Sequence, residues 1–138
     1  MAKPRNFLFV CQNNDARSQM AEGFAKAMAN GTAVNVYSAG VKPKQLNKYA
    51  VDVMGEVGID ISVQETRTFN DVPVKKIDTI ITLSSDSDPL PKTKAKVTQI
   101  HWPLTDPTAA SGTEAEVKKA YRAVRDEIRN RVQVLLVG

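Results

Sequence analysis

Four apolar residues, Phe7-Leu8-Phe9-Val10, run directly into Cys11, and after five further residues the chain reads Arg17-Ser18 before it turns amphipathic. An apolar run of this length, closed by polar residues and followed by helical periodicity, predicts a buried strand, a tight loop and a helix N-terminus in succession. The first turn of a helix leaves its N–H donors unpaired, and its dipole favours negative charge. The backbone of residues 12 to 17 can therefore curl around one tetrahedral oxyanion. Gln12, Asn13, Asn14, Asp15 and Ala16 would form that cradle together with Arg17 and Ser18. Arg17 adds a planar fork of donors suited to two of the anion's oxygens. Cys11 would sit beneath the anion, in an electropositive setting of the kind that keeps a thiol as its thiolate near neutral pH.

The rest of the chain alternates strand and helix patterns. Met20, Phe24 and Met28, flanked by Ala21 and Ala25, predict a first helix from about Ser18 to Ala29, stopped by Asn30-Gly31. Val34 and Val36 predict a short strand that ends in a turn at Ser38-Ala39-Gly40. Ala50, Val53, Met54 and Val57 predict a second helix before Gly58, and Asp71-Val72-Pro73 leaves residues 59 to 76 as loop or one helical turn. Ile77 to Leu83 is β-branched and nearly continuous, as a strand covered on both faces should be. Ser84 to Lys96, with Asp86, Asp88, Pro89 and Pro91, reads as a loop, Val97 to Trp102 as a fourth strand, and Pro103 to Pro107 as a second loop. Thr113-Glu114-Ala115-Glu116 is a capping box, and Val117, Tyr121, Val124, Ile128, Val132 and Leu135 mark one face of a long last helix.

This alternation predicts an α/β fold, a three-layer doubly wound four-stranded parallel sheet with helices on both faces, formed by one domain over residues 1–138. In such sheets ligands bind outside the carboxyl ends of the strands. The loops that begin at Cys11, Ser84 and Pro103 all leave strand ends on that edge, so the cysteine loop and Asp106 should converge there. One cysteine excludes an internal disulfide, and one histidine without a second thiol leaves no metal constellation. The net charge of +4 comes from basic residues scattered among acids with few aromatics, which argues against a nucleic-acid partner. No apolar run approaches a membrane span and Met1 to Asn6 is too short for a signal sequence. A cytoplasmic monomer, with no nucleic-acid or membrane partner, is the expectation.

Cys11, five residues, Arg17 and Ser18 together resemble the loop of the low-molecular-weight protein tyrosine phosphatases and of the arsenate reductases that share their fold. The run Arg17-Ser18-Gln19-Met20-Ala21-Glu22-Gly23 is similar to the arsenate reductase version, since the phosphatases usually carry proline where Gln19 stands. Ser38-Ala39-Gly40, Gly58-Ile59-Asp60-Ile61-Ser62, Ile81-Thr82-Leu83, His101-Trp102-Pro103-Leu104 with Asp106-Pro107, and Arg122 to Ile128 extend the resemblance over nearly everything after Arg5. It implies a low-molecular-weight phosphotyrosine phosphatase-like fold. It also implies Cys11 as nucleophile, Arg17 as oxyanion clamp, Ser18 as a hydroxyl that steadies the thiolate, Asn14 and Ser38 as loop supports, and Asp106 as general acid. The implied substrate is a small oxyanion: arsenate, phosphate or sulfate.

Each residue also has a plainer reading. Cys11 could be a small buried hydrophobe, and Asp106 before Pro107 could only start a turn. His101 and Trp102 read as packing at the sheet's end, Met20, Met28 and Met54 as core, and the Lys and Arg residues of the last helix as its solvated face. Three departures from the family pattern matter. Asn13 replaces a glycine, which is tolerable because Asn accepts left-handed backbone. Asp15 puts a carboxylate about 8 Å from the anion, opposing it by roughly 2 kcal/mol at an effective dielectric near 20 unless the side chain points outward into water. Family members that complete arsenate reduction internally carry two more cysteines after the third strand. Ser84 holds the first of those positions, and Ser85 to Lys96 contains no cysteine.

The reading that follows is an arsenate reductase-like enzyme that binds no cofactor and depends on an external thiol, of the glutathione/glutaredoxin or mycothiol type. A phosphatase forming a cysteinyl-phosphate is the alternative. Gln19 and the sequence Thr108-Ala109-Ala110, which stands where phosphatases place paired tyrosines, count against it. A non-catalytic oxyanion-binding module is the third reading.

Overall fold

In the computed structural model, residues 4–84, 89–94 and 96–137 are described. The chain forms β1 (Arg5–Cys11), α1 (Arg17–Met28), β2 (Val34–Gly40), α2 (Lys48–Glu56), β3 (Thr79–Thr82), β4 (Thr98–His101) and α3 (Glu114–Val137). Three 3₁₀ turns join them, at Phe69–Asp71, Val74–Lys76 and Pro107–Ala109. The four strands make one parallel sheet in the order β2-β1-β3-β4. The chain therefore moves from β1 outward to β2, then crosses back over β1 to β3 and β4. The carboxyl end of β1 is the point where the winding reverses, the position at which parallel sheets open a crevice for ligands.

Strand β1 explains why its sequence has no polar alternation. Phe7, Phe9 and Cys11 face one side, packed with Met20, Ala21 and Phe24 of α1, Ala50, Val53 and Met54 of α2, and Tyr121, Val124, Ile128 and Val132 of α3. Leu8 and Val10 face the other side with Ala39 and Ile80, under Val72 and Ile77. Successive side chains of a strand point to opposite faces, and both faces here are covered. Both faces of the sheet are covered, but the three helices, expected on both, all lie on one face, because the chain between α2 and β3 buries its apolar residues in 3₁₀ turns instead of a helix. The opposite layer is built from the two 3₁₀ turns between α2 and β3 and from partly buried Phe69, Val74, Leu90 and Val97. Residues 59 to 76 thus form two turns rather than loop or a single turn, because Val72 and Ile77 have apolar sheet to bury.

Other boundaries shift for reasons that involve distant partners. Ser38-Ala39-Gly40 is strand, not turn: it pairs in register with Phe9, Val10 and Cys11. The third and fourth strands are shorter than their apolar runs, since ladder pairing covers only Thr79–Thr82 and Thr98–His101. The loop expected at Ser84 to Lys96 falls partly outside the described residues, including Asp86 and Asp88. The Thr113 box forms, with Thr113 Oγ1 accepting from Glu116 N at 3.2 Å.

Arg125 is a correction, because it is buried at the α2–α3 contact rather than solvated. Its Nη1 donates to Val53 O and to Glu56 Oε1, both at 2.9 Å, satisfying a carbonyl left free near the end of α2. Arg122 forks onto the same carboxylate with two bonds of 2.8 Å, and the Glu56 carboxyl is held down to about 2, chiefly by that Arg122 hydrogen bond. No helix among the described residues is long and apolar enough to cross a membrane.

Candidate active site

Cys11 ends β1 opposite Gly40 of β2. A Cβ on Gly40 would lie 2.8 Å from Asn14 N and 2.9 Å from Cys11 O, so only glycine lets β2 run this close beneath the loop. The loop turns at Asn14, whose φ is 48°. The left-handed residue is therefore Asn14, and Asn13 needs no such tolerance. Ala16 is the N-cap of α1 and supplies no side-chain cap, so the donors of the first helical turn are left for a ligand rather than consumed by a serine or aspartate.

Beneath the loop a chain of hydrogen bonds leads to the sulfur. Cys11 Sγ and Ser18 Oγ are 2.9 Å apart. Asn14 Nδ2 donates to Ser18 Oγ at 2.8 Å and to Ser38 Oγ at 3.0 Å. Ser38 in turn donates to Glu22 Oε1 at 2.5 Å. The Asn14 amide is kept in this orientation because its Oδ1 accepts from Arg67 N at 2.8 Å and from Gln19 Nε2 at 3.0 Å. With Asn14 occupying one lone pair of Ser18, the single Ser18 hydroxyl proton is free to point at Cys11 Sγ.

Three members of this arrangement were not legible as site residues. Glu22 is fully buried in α1 and carries Lys26 at 2.5 Å and Arg67 at 3.8 Å on its carboxylate. Gln19 donates to Asn14 O and Glu65 O, both at 3.0 Å, and Gln64 donates back to Gln19 O at 3.0 Å, which straps the 64–67 segment over the loop. Arg67 completes the strap, with its carbonyl accepting from Gly40 N at 2.9 Å. One signal was present for Glu22: it lies four residues after Ser18, one turn along the same helix face, among apolar neighbours.

At the mouth, Arg17 is buried and gathers the strand-end loops. Its Nη1 donates to Leu83 O at 2.8 Å and to Leu104 O at 3.2 Å, and its Nη2 lies 3.5 Å from Asp106 Oδ2. The loops after β1, β3 and β4 thus converge as their topology requires. Asp106 starts the turn of its plainer reading and also faces the site. Its Oδ1 accepts from Thr108 N at 3.0 Å, starting a 3₁₀ turn, while its other oxygen faces Arg17.

Asp15 is half-buried rather than fully turned out to water. Burial pushes its carboxyl above the usual range, its own backbone N–H opposes that, Asp106 adds to it, and Lys44 and Arg17 work against it. Gln12 and Asn13 use their carbonyls to accept Lys42 N at 2.9 Å and Lys44 N at 3.0 Å. His101 Nδ1 lies 2.8 Å from Thr82 Oγ1, and Trp102 packs on Phe9 with ring centroids 5.9 Å apart, the packing roles expected of them. No group of three or more His, Cys, Asp or Glu among the described residues could hold a metal ion.

The family described as low molecular weight phosphotyrosine protein phosphatase matches residues 6–137. The chain belongs to this family. Within it, the chain is 44% identical over 126 residues to an arsenate reductase of Bacillus subtilis (strain 168), covering 91% of this chain and 90% of that one. It is 42% identical over 130 residues to an arsenate reductase of Bacillus licheniformis, covering 94% and 93%. A solved arsenate reductase in its phosphate-binding state superposes with a TM-score of 0.82 at 32% identity, covering 96% of this chain and 97% of that one. The arsenate reductase of Archaeoglobus fulgidus superposes with a TM-score of 0.76 at 30% identity, covering 96% and 99%.

Proposed function

We infer that the protein is an arsenate reductase that forms an arsenic–sulfur bond at Cys11 and relies on an external thiol to reduce the arsenic to arsenite. The observation that carries this reading is the Cys11–Ser18 contact of 2.9 Å, set at the mouth of a helix N-terminus that has no side-chain cap. The likeness to arsenate reductases over at least nine-tenths of both chains supports it. Arsenate would take the N–H groups of residues 12 to 17 and the free donors of Arg17, displacing Asp106 from its 3.5 Å contact with that guanidinium. The Cys11 thiolate attacks arsenic as an oxygen leaves. Asp106, then beside that oxygen, protonates it so that it departs as water, a contribution of about 10²–10⁴ in rate.

Arsenic in this adduct is still pentavalent. A second thiolate attacks the Cys11 sulfur, a disulfide forms, and the S–As electron pair stays on arsenic, which leaves as arsenite. A further thiol then displaces Cys11 from the mixed disulfide. Overall, one arsenate and two thiols give one arsenite, one disulfide and one water. The sequence holds a single cysteine, so both thiols come from outside. Glutathione with a glutaredoxin, or a mycothiol-type thiol, supplies this chemistry in a reducing cytoplasm with no bound cofactor.

The same cradle would accept a phosphomonoester, the reading that the family's description favours. Against it, Thr108-Ala109-Ala110 after Asp106-Pro107 offers no aromatic wall for a phenyl ring. The test sets arsenate with glutathione and glutaredoxin beside para-nitrophenyl phosphate. Arsenite formation that Cys11→Ser abolishes supports the reductase. Hydrolysis of the ester without arsenite replaces it with the phosphatase, and oxyanion binding with neither product leaves a non-catalytic module.

A further inference from the structure

Lys42 and Lys44 lie on the connection between β2 and α2, Lys48 is the first residue of α2, and all three are exposed. This segment is sewn to the cysteine loop along its length. Lys42 N donates to Gln12 O at 2.9 Å, Lys44 N to Asn13 O at 3.0 Å and Asn47 N to Asp15 O at 2.9 Å, while Asn13 Nδ2 returns a bond to Lys42 O at 2.8 Å. The lysines are therefore held in place as one rim of the cradle. None of them forms an ion pair among the described residues, in contrast to Lys26, Lys94 and Lys118. Lys48 lies over the Tyr49 ring at 5.0 Å. The charges that face this rim are Asp15, Asp106 and Arg17, with Lys44 close enough to Asp15 to affect its carboxyl.

Arsenate fills the cradle itself, and Arg17 answers its charge. The lysines stand on the segment bonded to Gln12, Asn13 and Asp15, outside the loop whose N–H donors would take arsenate. We propose that this lysine rim recruits the external reductant, and that the reductant is a small thiol carrying carboxylates, of the class of a γ-glutamyl tripeptide. The proposal rests on the reductase reading above. A γ-glutamyl tripeptide has two carboxylates, and each lysine–carboxylate contact at such a surface is worth a factor of about 1.5 to 5, so the two give a preference on the order of tenfold. Because the contacts are solvent-exposed, the preference must fade as the Debye length shrinks from about 30 Å at 0.01 M salt to about 10 Å at 0.1 M.

The experiment measures arsenite formation at saturating arsenate with three thiols: glutathione, glutathione diethyl ester and 2-mercaptoethanol. The first two share a scaffold and differ only in their carboxylates, and the third is uncharged. The expected result is a kcat/KM for glutathione about tenfold above that for the diester, a gap that closes with added salt and in the triple variant Lys42→Gln/Lys44→Gln/Lys48→Gln. A triple variant that lowers kcat/KM equally for all three thiols would overturn the proposal, because the lysines would then act on something other than the thiol's carboxylates. So would equal use of glutathione and its diester by the wild-type protein, a measurement that needs no variant. Arsenite with 2-mercaptoethanol but no carboxylate preference removes this inference and leaves the reductase reading intact. No arsenite with any thiol removes both.

Discussion

Asn14→Asp changes the site's hydrogen bonding without changing its volume, replacing a donor by an acceptor at the centre of the network. In the wild type, Asn14 Nδ2 donates to Ser18 Oγ at 2.8 Å and to Ser38 Oγ at 3.0 Å, and Ser38 is already committed to Glu22. A carboxylate oxygen in place of that amide nitrogen draws the Ser18 proton toward itself, and the Cys11 sulfur loses its donor. It also puts a second negative charge within about 6 Å of the sulfur, the reach of consecutive bonds of 2.8 and 2.9 Å. At an effective dielectric near 20 that charge opposes a thiolate by about 3 kcal/mol, about 100-fold in reactive sulfur. Asn14 is fully buried, so the new carboxylate is also expected to lower stability by about 3 kcal/mol and the melting temperature by about 10 °C. The assay is the rate of iodoacetamide alkylation of Cys11 at pH 7, followed by mass spectrometry on protein whose fold is checked by circular dichroism. Asn14→Gly removes the amide without adding charge or straining the left-handed backbone, so it should slow alkylation only several-fold. A folded Asn14→Asp protein alkylated at the wild-type rate would refute the direction assigned to these bonds.

Arg17→Lys keeps the charge but cannot hold Leu83 O, Leu104 O and an oxyanion together. The thermal shift produced by phosphate or arsenate should therefore report at least tenfold weaker binding. Asp106→Asn should leave that shift nearly intact while slowing arsenite formation about 100-fold or more, and unchanged turnover would return Asp106 to its turn-forming role. Asp15→Asn should tighten oxyanion binding at pH 7 by about 30-fold, the roughly 2 kcal/mol opposed by a carboxylate about 8 Å away. Since burial raises the Asp15 carboxyl in the folded protein, the gap between wild type and Asp15→Asn should narrow as pH falls through that raised range, which lies above the ordinary value of 3.8. Calorimetric titrations with phosphate at several pH values measure this.

What the sequence discloses best is local and periodic. The apolar run of β1 needs no partner to be recognised, and its lack of alternation already says that both faces are covered. The stripe of α3 follows in the same way, with Tyr121, Val124, Ile128 and Val132 all buried. The misread positions are those whose meaning is set by residues far along the chain. Gly40 looks like punctuation, yet it is glycine because Asn14 and Cys11 crowd its Cα. Arg125 looks like a helix surface residue until Val53 O and Glu56, about seventy positions away, are placed beside it. Glu22 is read only within the run Arg17 to Gly23, and its place beneath the loop depends on Ser38, Lys26 and Arg67, which converge on its buried carboxylate. The cradle was legible because its strand, loop and helix start are contiguous. Its supports were not, because they arrive from β2 and from the 64–67 strap.

The claim on which the rest depends is that arsenic leaves Cys11 through an outside thiol. The direct measurement is the mass of the protein after one turnover with arsenate and glutathione, quenched with acid. The predicted product is wild-type protein bearing one glutathione in disulfide linkage at Cys11, with one equivalent of arsenite in solution and neither product from Cys11→Ser. Arsenite released at full rate with thioredoxin as the sole reductant, and no mixed disulfide at Cys11, would contradict it.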